Sequence, residues 1–218
     1  VLGFPQQMYV PGFQMMDFSI SATTVVHTLA LNAWAGVGAP PAPEGTAGLT
    51  DVDLEVRQGE VVAILGRNGS GKTTLARNLA GLLQPTGGAV HVNGHRVWDR
   101  GGGRPGTEIG YIFQNPDHQI FAETIQEEVG FGPRNLGCPP AQVFERTAEA
   151  LATVGLAGRE GEDPFSLSRG DRQRLAVASA LAARPGILLF DEPTTGLDAP
   201  SIGAMMDLVD ALAASGHT

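Results

Sequence analysis

The sequence predicts an α/β fold built on a parallel sheet, and three observations predict it. Two short apolar runs, "VVAIL" at 61–65 and "ILLF" at 187–190, read as strands covered on both faces. Segments of helical periodicity lie beside them in the chain. Strands alternating with helices over 218 residues are the pattern of a layered α/β domain.

Each element follows in order. Residues 1–28 hold Pro5, Pro11 and paired methionines without a clean period. They read as a linker, the tail of an upstream domain or mistranslated sequence, and the domain proper is taken as 29–218. The stretch from Ile20 to Ala39 is the best candidate for a membrane span, but His27, Asn32 and several Ser and Thr interrupt it. "LTDVDLEV" at 49–56 alternates Val52, Leu54 and Val56 with acids, the mark of a half-buried strand. The apolar strand at 61–65 comes next. Residues 73–83 then predict a helix with Leu75, Leu79 and Leu82 on one face and Pro85 as the stop. "VHVNGHRV" alternates around Asn93-Gly94, a hairpin signal. "IGYIF" at 109–113 is a further strand.

Beyond it the period changes to helical. Phe144, Ala148 and Leu151 fall on one face of a helix over 142–154 that Gly155 ends. Residues 172–184 form an Ala- and Leu-rich helix ending at Pro185, and the last helix spans about 201–214. The hairpin implies an antiparallel annex to the sheet, and about 118–165 a helical insert.

Composition narrows the function classes. The 30 glycines and 15 prolines stay below the ~25–30% that marks low-complexity chains. A net charge of −9 argues against non-specific nucleic-acid binding, which depends on Lys and Arg neutralising phosphates. Cys138 is the single cysteine, so no internal disulfide forms, and its usage fits a reducing cytoplasm. No signal-peptide pattern is visible, and a start at Val1 reads as a cut end.

The chemistry concentrates in "GRNGSGKT", residues 66–73, which fits G-x-x-x-x-G-K-[ST] between an apolar strand and a helix. Glycines let the chain curl so that successive N–H groups face inward as an anion nest. The helix N-terminus adds positive potential. Lys72 brings a point charge for the β- and γ-phosphates, and Thr73 a hydroxyl for Mg²⁺. In "ILLFDE", Asp191 ends a buried strand where it can hold Mg²⁺ through water. Glu192 can polarise a water for attack on the γ-phosphate. Upstream, "LSRGDRQR" at 167–174 reads as a helix start, with Ser168 and Asp171 at near capping-box spacing.

Taken together, "GRNGSGKTT", Gln114 in "YIFQNPD", "LSRGD", "ILLFDEP" and "GLD" resemble the ATP-binding cassette (ABC) ATPases, in the family's own order. The resemblance covers about 29–218. The interval from Lys72 to Ser168 suits a transporter cassette and leaves no room for a long coiled-coil insert. It implies a P-loop NTPase with a RecA-like core, an antiparallel β-subdomain and a helical subdomain at about 118–165. Two cassettes pair head to tail, each ATP lying between one phosphate loop and the other's signature.

The resemblance further implies nucleotide contacts from Gly66, Asn68, Gly69, Ser70, Gly71, Lys72, Thr73 and Thr74. Ser168 and Gly170 would meet the partner's ATP. Gln114 would sense Mg²⁺ and the water, and Asp198 would communicate across the dimer. Trp34 is the aromatic available to stack on adenine. "NPD-Q-F" and "FGP-NLG" are most similar to cassettes of energy-coupling factor importers, which move vitamins or transition-metal ions. There, residues 115–132 would face a transmembrane subunit.

Three features depart from the pattern. The signature carries Arg169 in place of Gly, expected to point into solvent rather than to help neutralise ATP, and Asp171 in place of Gln. His217 precedes the strand that the switch histidine normally follows. The chain reads as stopping short at its C-terminus, leaving the fragment's own hydrolysis in doubt. The resulting expectation is an ATPase subunit with ATP and Mg²⁺, peripheral on the cytoplasmic face of a membrane. It would pair with a second cassette and a transmembrane subunit and bind no nucleic acid. The competing readings are a soluble ABC ATPase without a membrane partner, and a catalytically dead regulator.

Overall fold

The computed structural model describes the backbone of residues 26–30 and, with side chains, residues 49, 52–97 and 108–218. Strand β1 (Val26–Ala30) pairs in parallel with β2 (Val61–Leu65), Val26 opposite Val61. Helix α1 (Lys72–Leu79) follows directly. A hairpin of β3 (His91–Val92) and β4 (His95–Arg96) turns through Asn93 and Gly94, both at positive φ as its two-residue turn requires. Strand β5 (Ile109–Ile112) pairs in parallel with β6 (Ile187–Phe190). Between these two run α2 (Ile125–Asn135), α3 (Pro140–Thr153) and α4 (Arg169–Ala182), and α5 (Ala199–Ala214) follows β6.

The helices surround the core. Ile125, Val129, Leu151, Leu156, Leu175 and Val177 are fully buried, together with Ile112 of β5 and Met205 of α5. Burying each such side chain contributes on the order of 1.5–3 kcal/mol before entropy is charged. The cluster fastens the helical insert to β5, and so to the loops at the ends of β5 and β6.

Several expectations need correction. Residues 52–57 form no strand. Val52 and Leu54 are half-buried as the alternation predicts, but Val56 is 41% exposed, and alternation makes a strand only when an edge is there to bond. Helix α1 stops at Leu79, short of residue 83. Gly81, at φ 72, accepts the left-handed turn and the Leu82 N–H bonds back to the Arg77 carbonyl, which leaves Leu82 and Leu83 exposed. In α3 the inward face is Thr147, Ala150 and Leu151, while Phe144 is 65% exposed. Strands β2 and β6 are only partly buried. Helix α4 begins at Arg169, a turn earlier than its apolar period suggests, because Ser168 caps it.

Candidate functional site

Loop 66–71 leaves β2 and enters α1 through Gly71, which stands at φ 92 in the N-cap position. No side chain caps this helix and no acid occupies its first turn, so its N-terminal dipole is uncompensated. Gly71's φ of 92 strains any L side chain, and an added Cβ would also press Leu49 Cδ2 at 2.6 Å. The Ser70 hydroxyl is buried without a hydrogen-bond partner. A buried polar orphan beside an uncapped helix start suits phosphate oxygens. The Lys72 ammonium folds back over the loop and donates to the carbonyls of Gly66 at 2.9 Å and Arg67 at 3.1 Å. An incoming phosphate competes for those protons, and one N–H of the ammonium lies outside these two bonds. Asn68 and Gly69 are exposed on the loop, and Thr74 is half-buried in the first turn.

The two halves of the site meet at Asp191. The Thr73 hydroxyl donates to Oδ1 at 2.9 Å and the Tyr111 phenol to Oδ2 at 2.9 Å. The Asp191 N–H donates to the Ile112 carbonyl, continuing the β5–β6 ladder to the site. Asp191 is 7% exposed. Among the described residues no group of three or more His, Cys, Asp or Glu gathers around it. Mg²⁺ does not demand one: it keeps several waters and takes phosphate oxygens, so a hydroxyl and one carboxylate fit. Burial pushes the Tyr111 phenol up to about 12, helped by the hydrogen bond to Asp191 and its charge.

Glu192 turns out of the strand at φ 49. Its Oε2 accepts from Gln114 Nε2 at 2.8 Å and from the Thr195 hydroxyl at 3.1 Å. The carboxylate is thus oriented by two neutral donors at the exposed mouth of the site.

Ser168 Oγ accepts from the Asp171 N–H at 3.1 Å, so the capping reading of this stretch holds. A Cβ on Gly170 would fall 2.6 Å from Ser201 Oγ, so the starts of α4 and α5 are in direct contact. Arg169 is exposed, as expected, yet its side chain also has a partner. It donates to the Thr195 carbonyl at 3.3 Å, because Gly196 leaves open the space its guanidinium fills. Asp171 pairs with Arg159 at 3.2 Å and with Arg174. Asp198 caps α5, accepting from the Ser201 N–H at 3.1 Å; hydrogen bonds from the Ser201 side chain and then its N–H hold its carboxyl below the usual range.

The segment after Gln114 lies along α4. Gln173 donates to the Phe113 carbonyl at 3.3 Å, Gln119 to the Ala176 carbonyl at 3.0 Å, and Arg172 faces Asp117 across 2.8 Å. Beyond it, Phe121 and Phe131 meet edge to face at 4.7 Å and stay 60% and 41% exposed.

Trp34 lies outside the described residues. His217 sits at the end of α5, its Nδ1 against Ser215 Oγ at 3.0 Å and the Leu212 carbonyl at 3.3 Å. Sequence reasoning missed Tyr111 and Thr195. Tyr111 carried a faint signal, as a polar-tipped aromatic in an otherwise apolar strand ending at the site. Thr195 carried none.

A family model described as ABC transporter matches residues 49–195. An ABC transporter ATP-binding protein of Caldanaerobacter subterraneus subsp. tengcongensis is 55% identical over 174 residues, 80% of this chain and 31% of that protein. The energy-coupling factor transporter ATP-binding protein EcfA of Methanothermobacter thermautotrophicus is 42% identical over 179 residues, 81% of this chain and 57% of that protein. The chain therefore spans about a third to just over half of these curated relatives. Among solved structures, CbiO1 of Clostridium perfringens, part of the CbiONQ ABC transporter complex, matches with a TM-score of 0.70. It is 33% identical, over 76% of this chain and 67% of that one. A dimeric ATP-binding cassette in a post-hydrolysis state with ADP and Pi matches with a TM-score of 0.67. It is 31% identical, over 78% of this chain and 77% of that one. The shared fold is that of the P-loop NTPase cassettes.

Proposed function

The chain belongs to the ABC transporter family, and on that premise we propose that it binds and hydrolyses ATP to drive a membrane importer of the energy-coupling factor type. The observation that carries the reading is the 2.9 Å hydrogen bond from Thr73 to Asp191, which brings the phosphate loop and the end of β6 into one site.

The loop N–H groups and Lys72 bind the triphosphate and offset the charge that builds on its oxygens. Thr73 and Asp191 would hold Mg²⁺, which would supply charge to offset that developing on the phosphate oxygens. Tyr111 holds the Asp191 carboxylate in place from the other side. Glu192 accepts a proton from the attacking water, and Gln114 and Thr195 keep its Oε2 aimed. Ser168 and Gly170 present the start of α4 to the triphosphate of a second cassette in a head-to-tail dimer. The dimeric neighbour with ADP and Pi supports that arrangement. Asp198, at the start of α5, is placed to report across the same dimer.

The energy-coupling factor assignment rests on the relative named EcfA and on the CbiO1 likeness. No described helix is long and apolar enough to cross a membrane. On this reading the chain works at the cytoplasmic face, docked on a transmembrane subunit through the exposed Phe121–Phe131 pair and the helical part at about 118–165.

The test is Glu192→Gln in the full-length protein. ATP binding by calorimetry is expected to persist while phosphate release falls by roughly 10²-fold or more, the range for losing a general base. Turnover at the native rate in that variant would remove Glu192 from its role.

A further inference from the structure

Arg169 replaces the glycine of the resembled signature, and its side chain has a definite place. It is the first residue of α4, flanked by Ser168 and Gly170. Its Nη2 donates to the Thr195 carbonyl at 3.3 Å. The guanidinium lies against Gly196, where an added Cβ would sit 3.1 Å from Cζ and Nε and 3.2 Å from Nη2. The neighbouring groups of that turn are already committed to Glu192. The Thr195 hydroxyl donates to its Oε2 at 3.1 Å and the Thr195 N–H to its carbonyl at 3.1 Å. Glu192 itself holds φ 49 and Gly196 φ 75, so the turn is tightly wound at both ends.

We propose that Arg169 is a positioning residue for Glu192, bracing the turn 192–196 from the signature helix of the same chain. A glycine at 169 has no side chain to reach Thr195. Lysine reaches it with one donor but has no plane to lie on Gly196. The pair is exposed, so it adds little to stability. Its effect is geometric: a carboxylate that must meet a water within tenths of an ångström loses rate when its turn loosens. The brace also joins the residues that would meet the partner's triphosphate to the group that would activate water in this chain's own site. The inference rests on the ATPase reading of Glu192 given above.

The experiment is steady-state ATP hydrolysis by the full-length protein carrying R169G, R169A, R169K, T195V or R169G with T195V, alongside calorimetric ATP binding. R169A keeps helix propensity, and a thermal melt on each variant confirms folding. R169G and R169A are expected to lower kcat roughly five- to tenfold while KM and ATP affinity stay within about twofold, the signature of a lost transition-state alignment. R169K should recover part of the loss. T195V should fall comparably, and the double variant no further than the worse single, because both act through one turn. An unchanged kcat, multiplying effects in the double variant, or a raised KM with kcat intact would overturn the proposal. The last result would instead make Arg169 a direct phosphate contact. If E192Q turns over normally, the reading of Glu192 fails, independently of the brace.

Discussion

Tyr111 and Asp191 are joined by a 2.9 Å hydrogen bond from phenol to carboxylate. Without it, one oxygen of a largely buried carboxylate loses its donor, at a cost of about 1–3 kcal/mol. Tyr111→Phe is expected to lower Tm by about 2–4 °C per kcal/mol lost. It should also raise the Mg²⁺ concentration that supports half-maximal ATP hydrolysis. The pH dependence follows from the phenol. Its value is raised from 10.0 to about 12, first by burial and then by Asp191, so folding favours the protonated form. Its contribution is complete below pH 10 and disappears as pH rises to about 12. An alkaline absorbance titration of the folded protein should show a late tyrosinate step that Y111F lacks.

Gly71→Ala tests the entry to α1. The new methyl would meet Leu49 Cδ2 at 2.6 Å, and φ 92 is unfavourable for alanine. The expected cost is about 1–3 kcal/mol, read by thermal melting, with a weaker ATP affinity as the first turn shifts. Unchanged melting and affinity would show that the turn yields freely.

Asp171→Gln tests the charge cluster under the signature. Partial burial raises the Asp171 carboxyl, but bonds from Arg174, Ser168 and Arg159 outweigh it and hold it below its ordinary 3.8. Folding therefore favours the carboxylate. The stabilisation is present above pH 3.8 and is lost as pH falls through the lower folded value. The variant should melt lower at neutral pH, by an amount set by partly exposed pairs worth ~0.2–1 kcal/mol each. The gap from the native protein should close in strong acid. A constant gap at every pH would assign the loss to packing.

Phe121→Ser with Phe131→Ser tests the docking face. Two rings that remain 60% and 41% exposed while meeting edge to face contribute little to the core. The double variant is expected to fold and bind ATP, yet to lose co-purification with a multispanning membrane protein. Retained co-purification would move the docking face elsewhere.

Much of the phosphate-binding half was legible because its signal is local. Glycine spacing, a lysine and a threonine between a strand and a helix dictate a backbone curl, and loop 66–71 makes it. The ends of α3 and α4 were legible for the same reason: Gly155 and Pro185 act on the nearest turn. What failed was tertiary. Whether "LTDVDLEV" becomes a strand depends on an available edge, and β1 at Val26–Ala30 gives no warning within a stretch interrupted by polar residues. The outward Phe144 depended on where α4 would lie. Arg169 is exposed as expected, but its bond to Thr195 was not foreseen because that partner stands far along the chain. At the site, roles that need two distant segments to meet, such as those of Tyr111 and Thr195, had no pattern of their own to display.

Glu192 carries its side chain on a left-handed backbone, where an L-residue with a β-carbon costs roughly 1–2 kcal/mol. Thermostability and turnover then pull in opposite directions at this one position. Glycine or asparagine there would relax the chain and, on the proposed role of Glu192, give a hardier protein without its base. If Glu192 is the base proposed above, breeding the molecule for heat resistance alone would erode the carboxylate its turnover depends on.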